Sequence, residues 1–388
     1  MIAPMPFFED RGSPIRVYEE AKNLALLGNQ INITCYHLGR DIADLNHIHR
    51  IPKIPWYNKT MAGPSYHKTY LDILLLFKTF KILRENESDI LHAHLHEGAF
   101  ISQFLKKILK INIPIVFDAH GSLTLEMIAH NFIKESSLLN RFWKLVEKKI
   151  SEGSGIIFVS NPNLIEIMKN EFLIPENKIK FIPDGVDTNL FNPNKYCRNE
   201  IRKKYNLKDE NIIIYTGLFT SYQGIYFLIE KVIPKVLREY QNVKFLLVGY
   251  PVGKYRIMAK KLGLDKNIIF TGKQKYQDIP KFLAAADIAV TPKYLDKGEG
   301  NLKITTYMSM GLPTVSFNYP YNKMMLKSTG IMTKPNDEDE FANAIVTLLD
   351  DPKKRKLMGE EAKIIANRKY SWLSLAKEIE KAYVSIKK

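Results

Sequence analysis

The chain has 388 residues, 45% apolar and 25% charged, which suits two ordinary domains each burying its own core and excludes a disordered or fibrous composition. Fifty-seven Lys and Arg against 41 Asp and Glu leave a formal charge of +16, which favours phosphorylated substrates, anionic lipid or nucleic acid. The two cysteines, Cys35 and Cys197, lie far apart without metal-ligand spacing; they argue against a disulfide framework and fit a reducing compartment.

No apolar run reaches the roughly 18 residues of a membrane span. The longest, LDILLLF at 71–77, is followed by Lys78, Lys81 and Arg84. No charged segment precedes an apolar stretch at the start, so no signal peptide is expected. MIAPMPFF leaves room for a short first strand. Gly12 and Ser13 then stand between a strand end and a helix over 14–28 with Pro14 in its first turn. Glycine there lets backbone approach a ligand, and the new helix offers unpaired N–H groups. Arg11 and Arg16 are cations for a phosphate or an acidic acceptor. INITCY (31–36) is the next strand.

Three segments, LLLFKTFKILR (74–84), FLKKILK (104–110) and RFWKLVEKKI (141–150), mix large apolar residues with Lys and Arg. Such helices lie on anionic membranes, or serve as surface helices with one core face. HAHLHEG (92–98) sets His92, His94, His96 and Glu97 in a pattern that also suits zinc. IPIVFDA (113–119) reads as a buried strand that delivers His120 and Gly121 to its end. Histidine is suited to hydrogen-bond a ligand or support charge near neutral pH. Glu126 lies in the same loop. GIIFVS (155–160) and KIKFIP (178–183) complete the first series. Pro183, Gly185 and Pro193 then interrupt all periodicity over 182–205, which reads as a linker.

The pattern restarts with strands at 211–217, 243–250, 267–272, 288–292 and 313–317, and with a helix over 226–240. After the fourth of these come Gly298, Glu299, Gly300 and Asn301, then Lys303 and the helix ITTYMSM. A carboxylate on such a loop holds sugar hydroxyls while helix N–H groups meet phosphate oxygens. NDED (336–339) reads as a helix cap. The tail, 370–388, reads as an amphipathic helix begun by Ser371 and Trp372. Strands alternating with helices predict parallel sheets with ligands at the strands' carboxyl ends.

The segment PKYLDKGEGNLKITTYMSMGLPTVSF (292–317) resembles the nucleotide-sugar loop of retaining GT-B glycosyltransferases of family 4, whose usual form is Glu-Gly-Phe-Gly followed by Glu-Ala-Met-Ala-x-Gly-x-Pro-Val. DGVDTNLF resembles the segment that ends their N-terminal domain. DILHAH resembles a strand end common in them without a metal, so no metal is expected. The resemblance runs from PFFEDRG to the tail. It implies an α/β GT-B fold, two Rossmann-like domains with parallel sheets facing across a cleft. The acceptor domain would span 1–190, the nucleotide-sugar domain 206–368, and a C-terminal helix, 369–388, would cross back onto the first.

By the same resemblance the protein is expected to be a retaining, metal-independent hexosyltransferase without cofactor. It would move a sugar from a nucleotide-sugar donor to a hydroxyl of a glycan or lipid-linked acceptor, in cell-surface glycan, polysaccharide or glycolipid synthesis. The expected catalytic residues are His120 and Glu299. The donor would be bound by Gly12 and Ser13, by Gly217, Gly249, Gly272, Lys273 and Gln274, and by Gly300, Asn301, Leu302, Lys303 and Thr306. Arg16 and Glu126 would face the acceptor. Two departures stand out. The Gly-Arg and Lys-Gly positions that clamp the diphosphate read Gly217-Leu218 and Gln223-Gly224, so Lys303 is expected to supply part of the missing charge. Thr306 replaces the second glutamate and lacks its charge-assisted contact.

These losses motivate an alternative, a non-catalytic nucleotide- or glycan-binding protein on a degenerate glycosyltransferase fold. Nucleic-acid binding rests on net charge alone, without aromatic–basic motifs, and is not expected. The expected location is cytoplasmic, peripheral on the inner face of the cell membrane.

Overall fold

The computed structural model describes residues 1–60, 63, 65–294 and 300–387. The chain forms two compact units. One contains Met1–Asp184 and Trp372–Lys388, together with Gly300; the other contains Gly185–Asp296 and Asn301–Ser371.

The first unit is built on a seven-stranded sheet in the order β3-β2-β1-β4-β5-β6-β7, with every pairing parallel. Its strands are β1 (Ile2–Ala3), β2 (Ile33–Cys35), β3 (Ile48–Arg50), β4 (Leu91–His94), β5 (Ile115–Asp118), β6 (Ile156–Val159) and β7 (Ile179–Phe181). The second unit carries six parallel strands in the order β10-β9-β8-β11-β12-β13. They are β8 (Asn211–Thr216), β9 (Val243–Val248), β10 (Ile268–Phe270), β11 (Ile288–Thr291), β12 (Thr314–Phe317) and β13 (Gly330–Thr333). Strand order reverses between β1 and β4 and again between β8 and β11, the places where open α/β sheets receive ligands.

Parallel strands covered on both faces need continuous apolar runs, and Ile212, Ile213 and Ile214 of β8 are all fully buried. In the first unit, successive residues of β5 and β6 face opposite layers. Val116 and Phe158 pack with Leu24 of α1 (Gly12–Leu26) and with Ala376 and Ile379 of the Trp372–Ile386 helix. Phe117 and Ile157 pack instead with Ala99 and Ile150, which belong to α3 (Leu95–Leu109) and α5 (Leu138–Glu152). Leu71 and Leu75 of α2 (Lys68–Glu85) join Ile101 and Leu105 of α3 in a neighbouring core. Thus α2, α3 and α5 form one layer, while α1 and the tail helix form the other. A shorter helix, α4 (Leu123–Ala129), follows β5.

The break in the chain falls at Asp184, and the stretch that reads as a linker mostly folds with the second unit. Phe191 is buried there, its carbonyl accepting from Ser309 Oγ. Arg202, on the helix Arg198–Lys204, donates to the carbonyls of Ala285, Lys208 and Glu210. A seven-residue helix among turns is too short to register as periodicity. The sequence also hides β3 and β13. β3 is a half-buried three-residue edge strand, and β13 opens on Gly330, so neither shows a buried β-branched run. Asp337 does cap the Glu338–Asp350 helix, accepting from the Glu340 N–H at 2.9 Å. Among the described residues, no helix is long and apolar enough to cross a membrane.

Candidate functional site

In the second unit the predicted donor residues gather at the switch point between β8 and β11. Gly217, just after β8, has φ of +133°, which side chains rarely adopt. A Cβ on Gly249, just after β9, would overlap the Gly217 carbonyl, so glycine permits that close approach. Gly224, at φ +73°, presses its backbone against the Pro292 carbonyl. The Tyr294 N–H donates to the Tyr222 carbonyl at 2.8 Å, tying the β8 turn to the exit of β11.

The Leu302–Ser309 helix begins at this place, and the N-cap residue of its first turn, Asn301, makes no side-chain cap bond. Such a turn presents backbone donors to an anion. Asn301 does not cap it because its Nδ2 donates to Thr291 Oγ1 at 3.1 Å. Lys303 Nζ donates to Gln223 Oε1 at 2.5 Å and lies 4.9 Å from the Tyr215 ring centroid. The Tyr215 hydroxyl donates to the same Gln223 oxygen at 3.1 Å. A Cβ on Gly217 would sit 3.5 Å from Lys303 Nζ. The ammonium therefore stands against Gly217 and Gln223, brought there by the helix and not by the strand turn.

Other members of the predicted set differ from expectation. The Gly300 N–H donates to Ser160 Oγ at 3.1 Å and is not an unpaired phosphate donor. Thr306 is buried, and its hydroxyl donates to the Lys303 carbonyl at 2.8 Å, leaving it only as an acceptor. Beyond β9 and β10, Lys273 Nζ lies 5.4 Å from the Tyr250 ring centroid, and Gln274 Nε2 donates to the Thr271 carbonyl at 2.9 Å. Gly272, between them, has φ of +76°. Glu299 lies outside the described residues.

The first unit holds a buried polar network around His120. Arg16 is its centre, not an acceptor-facing cation. Its Nε donates to Asp118 Oδ2 at 2.8 Å, Nη1 to Asp184 Oδ1 at 3.2 Å and Nη2 to the Ile182 carbonyl at 3.1 Å. Glu20 Oε1 lies 3.0 Å from the same Nε, and only 2% of Arg16 is exposed. The guanidinium turns inward to meet Asp118, which closes β5, and Glu20, one turn along its own helix. Gly12 and Ser13 do open α1, but a Cβ on Gly12 would meet nothing within 4 Å, so no crowding demands glycine there.

His120 has φ of +57°, and its Nε2 shares a hydrogen bond with His94 Nδ1 at 3.1 Å. Asp118 Oδ2 lies 3.5 Å from both nitrogens. His92 stacks on His94 and shares a 2.6 Å hydrogen bond with the Tyr383 hydroxyl of the tail helix. Glu20, His92, His94 and Asp118 bring ligating atoms within 4.8 Å of one another, a metal-like cluster. Arg16 already supplies positive charge against both carboxylates, and a cation placed beside it would be repelled. His96 and Glu97 leave this group because β4 ends at His94. His96 Nε2 lies 3.4 Å from Glu147 Oε1, and Lys68 Nζ donates to Glu97 Oε1 at 2.6 Å. Glu147 in turn accepts from the N–H groups of Leu123 and Thr124, fixing the start of α4, on which Glu126 is half-buried.

Burial by itself would raise the Asp118 pKa, but Arg16 above all, then His120 and His94, outweigh it and hold the carboxyl well below its usual range. Burial pushes Glu20 well above the carboxylate range, with Arg16 opposing. Burial also pushes His120 down to about 3, Asp118 only partly opposing, so the imidazole is neutral at pH 7. An unfolded histidine binds its proton near pH 6.5, before the folded one does. Its stabilising contribution is therefore complete above pH 6.5 and declines as pH falls toward 3, by up to about 1.4 kcal/mol per pH unit. Urea unfolding of the protein and of His120→Asn at pH 7 and pH 5 measures this, since Asn tolerates the left-handed backbone. The wild type should lose more stability than the variant on acidification; equal losses would mean that His120 titrates normally.

Sequence reasoning did not single out Asp118, Glu20, Glu147, Asp184 or Tyr383. Asp118 alone leaves a trace, as the charged residue closing an apolar strand two places before His120.

Comparison with known proteins agrees with this architecture. Residues 11–190 match the model of Glycosyltransferase Family 4, and residues 210–351 match that of Glycosyl transferases group 1. D-inositol 3-phosphate glycosyltransferase of Corynebacterium efficiens is 23% identical over 309 residues, 76% of this chain and 71% of that protein. Sucrose-phosphate synthase from Thermosynechococcus elongatus superposes with a TM-score of 0.79 at 19% identity, covering 99% of this chain and 98% of the other. HepE of Anabaena, solved in complex with UDP-glucose, gives 0.76 at 15% identity, covering 99% of each chain. Two family models in chain order, one covering β2 to β7 and the other β8 to β13 of two sheets in the Rossmann strand order, make this chain a family 4, group 1 glycosyltransferase of the GT-B fold.

Proposed function

We propose that the protein is a retaining, metal-independent hexosyltransferase that moves a sugar from a nucleotide-sugar to a hydroxyl of a lipid-linked or surface glycan. The observation that carries this reading is Lys303, whose ammonium stands against Gly217 and Gln223 at the first turn of the Leu302–Ser309 helix. A fixed cation at a helix N-terminus stabilises charge developing on a leaving diphosphate without a metal ion. Leu302 opens that turn, and Asn301 pins it to β11. Gly217 and Gly249 let backbone approach the phosphates, while Gly272, Lys273 and Gln274 line the nucleobase and Thr306 accepts from the ribose. The HepE structure with UDP-glucose supports a nucleotide-sugar donor on this fold.

Glu299 orients the transferred sugar. Neutral His120, held by His94 and Asp118, bonds a sugar hydroxyl, with the backbone of Gly12 and Ser13 near the same substrate. Glu126 faces the acceptor. The leaving phosphate takes the acceptor's proton in a front-side displacement, which needs no protein nucleophile. The reaction belongs at the cytoplasmic face of a membrane.

Thermal unfolding with UDP, GDP and ADP in EDTA tests the donor site. One nucleotide should raise the transition by several degrees above the others, as ligand binding to the folded state requires. The product anomer, read by NMR with the matching nucleotide-sugar, tests retention. No response to any of the three, or an inverted anomer, would overturn the proposal.

A further inference from the structure

The layer formed by α2, α3 and α5 has an outer face unlike the rest of the molecule. Phe100, Phe104 and Ile108 follow one another at four-residue spacing along α3 and are 54%, 42% and 54% exposed. The rings of Phe100 and Phe104 stack with centroids 6.3 Å apart. On α2, Ile73 and Phe77 repeat the spacing; on α5, Leu138, Phe142 and Leu145 follow at four and three residues, and all five are more than half exposed. Large exposed apolar residues elsewhere, such as Ile257 and Leu357 in the second unit, are separated along the chain. Single ones are ordinary, whereas a contiguous set marks an interaction surface.

The three helices are neighbours because their inner faces share two cores, Leu71 with Ile101 and Ala99 with Ile150. Their outer stripes therefore lie side by side. Lys81 and Arg84 on α2, Lys107 on α3, and Arg141 and Lys149 on α5 are exposed among them. Glu85 and Glu152 stand at the C-terminal ends of α2 and α5, and Glu97, in the first turn of α3, is held by Lys68. A protein partner or a second copy would need a matching acidic surface, and this chain, at +16, is poor in one. Aromatic and aliphatic side chains ringed by lysines match an anionic lipid surface, whose acyl boundary takes the rings while its headgroups take the cations.

We infer that the outer face of α2, α3 and α5 docks on an anionic lipid bilayer. This goes beyond the donor reading and does not depend on it. It also assigns the three basic segments of the sequence, scattered over 74–150, to a single surface.

Co-sedimentation of the full chain with phosphatidylcholine vesicles, with and without phosphatidylglycerol, tests it. Binding should appear with the anionic vesicles at low salt, weaken in high salt, and fall at least tenfold in the variant Phe104→Glu with Phe142→Glu. Both side chains point outward, so the variant should keep the wild-type unfolding transition and nucleotide response. A second variant, Lys107→Glu with Arg141→Glu, should lose binding while keeping its apolar stripe. Absence of binding to anionic vesicles, or binding that both variants retain, would overturn the inference. So would a concentration-dependent dimer that the phenylalanine variant abolishes, because the face would then belong to a second copy. Failure here would leave nucleotide binding untouched, and failure there would leave vesicle binding untouched.

Discussion

Replacing Lys303 with Met is expected to lower kcat by roughly 100- to 1000-fold, about 3–4 kcal/mol of transition-state stabilisation. The long side chain still covers the Tyr215 ring, so packing survives while the ammonium is lost. Gln223 Oε1 keeps the Tyr215 hydroxyl at 3.1 Å, which shares its one proton with the Leu218 carbonyl at 3.0 Å. The effect should therefore appear in turnover more than in folding. In the proposed reaction negative charge develops on the diphosphate as the sugar leaves, and Leu218 and Gln223 carry no charge to meet it. Lys303→Arg should recover part of the rate, because a guanidinium placed there still answers the charge. Steady-state transfer kinetics with the nucleotide found by thermal shift measure it. A Met variant within threefold of wild type would place the stabilising charge elsewhere.

Replacing Arg16 with Met should destabilise the first unit by about 3–5 kcal/mol, the usual cost of leaving buried charges without their partner. Asp118 and Asp184 would face each other without the guanidinium, and Glu20 would lose its ion pair with Arg16. The double variant Arg16→Met with Asp118→Leu should be less destabilised than Arg16→Met, because one uncompensated carboxylate goes with the cation. Trp372 reports this unfolding, since it is buried with Arg16 stacked 5.8 Å from its ring centroid. The sign with pH follows from Asp118. Its folded pKa lies below its unfolded value, so its contribution is present above about pH 3.9 and is lost as pH falls through the lower folded value. The gap between wild type and Arg16→Met should accordingly narrow in acid. A gap that widens would assign the stability to some other group.

These two residues show unequally in the sequence. Lys303 is legible because it follows a glycine-bearing loop and begins a helix, a local relation that four or five residues define. Arg16 reads as a surface cation, since nothing near it in the chain announces Asp118 or Asp184, 102 and 168 residues away. The histidines divide for the same reason. His92, His94 and His96 look alike on an alternating pattern, and only the end of β4 at His94 sends His96 to Glu147.

The sequence by itself determined the alternation of strands and helices, the two parallel sheets and the glycines at the strand ends. Those rest on side-chain periodicity and backbone sterics, which act within a few residues. Tertiary structure decided what the charges do and which surfaces remain open. It placed Arg16 among carboxylates and set Lys303 against Gln223. It also put the three basic stripes side by side and left their phenylalanines in water. Coulombic pairing and helix packing join residues far apart in the chain, so no window along the sequence contains them.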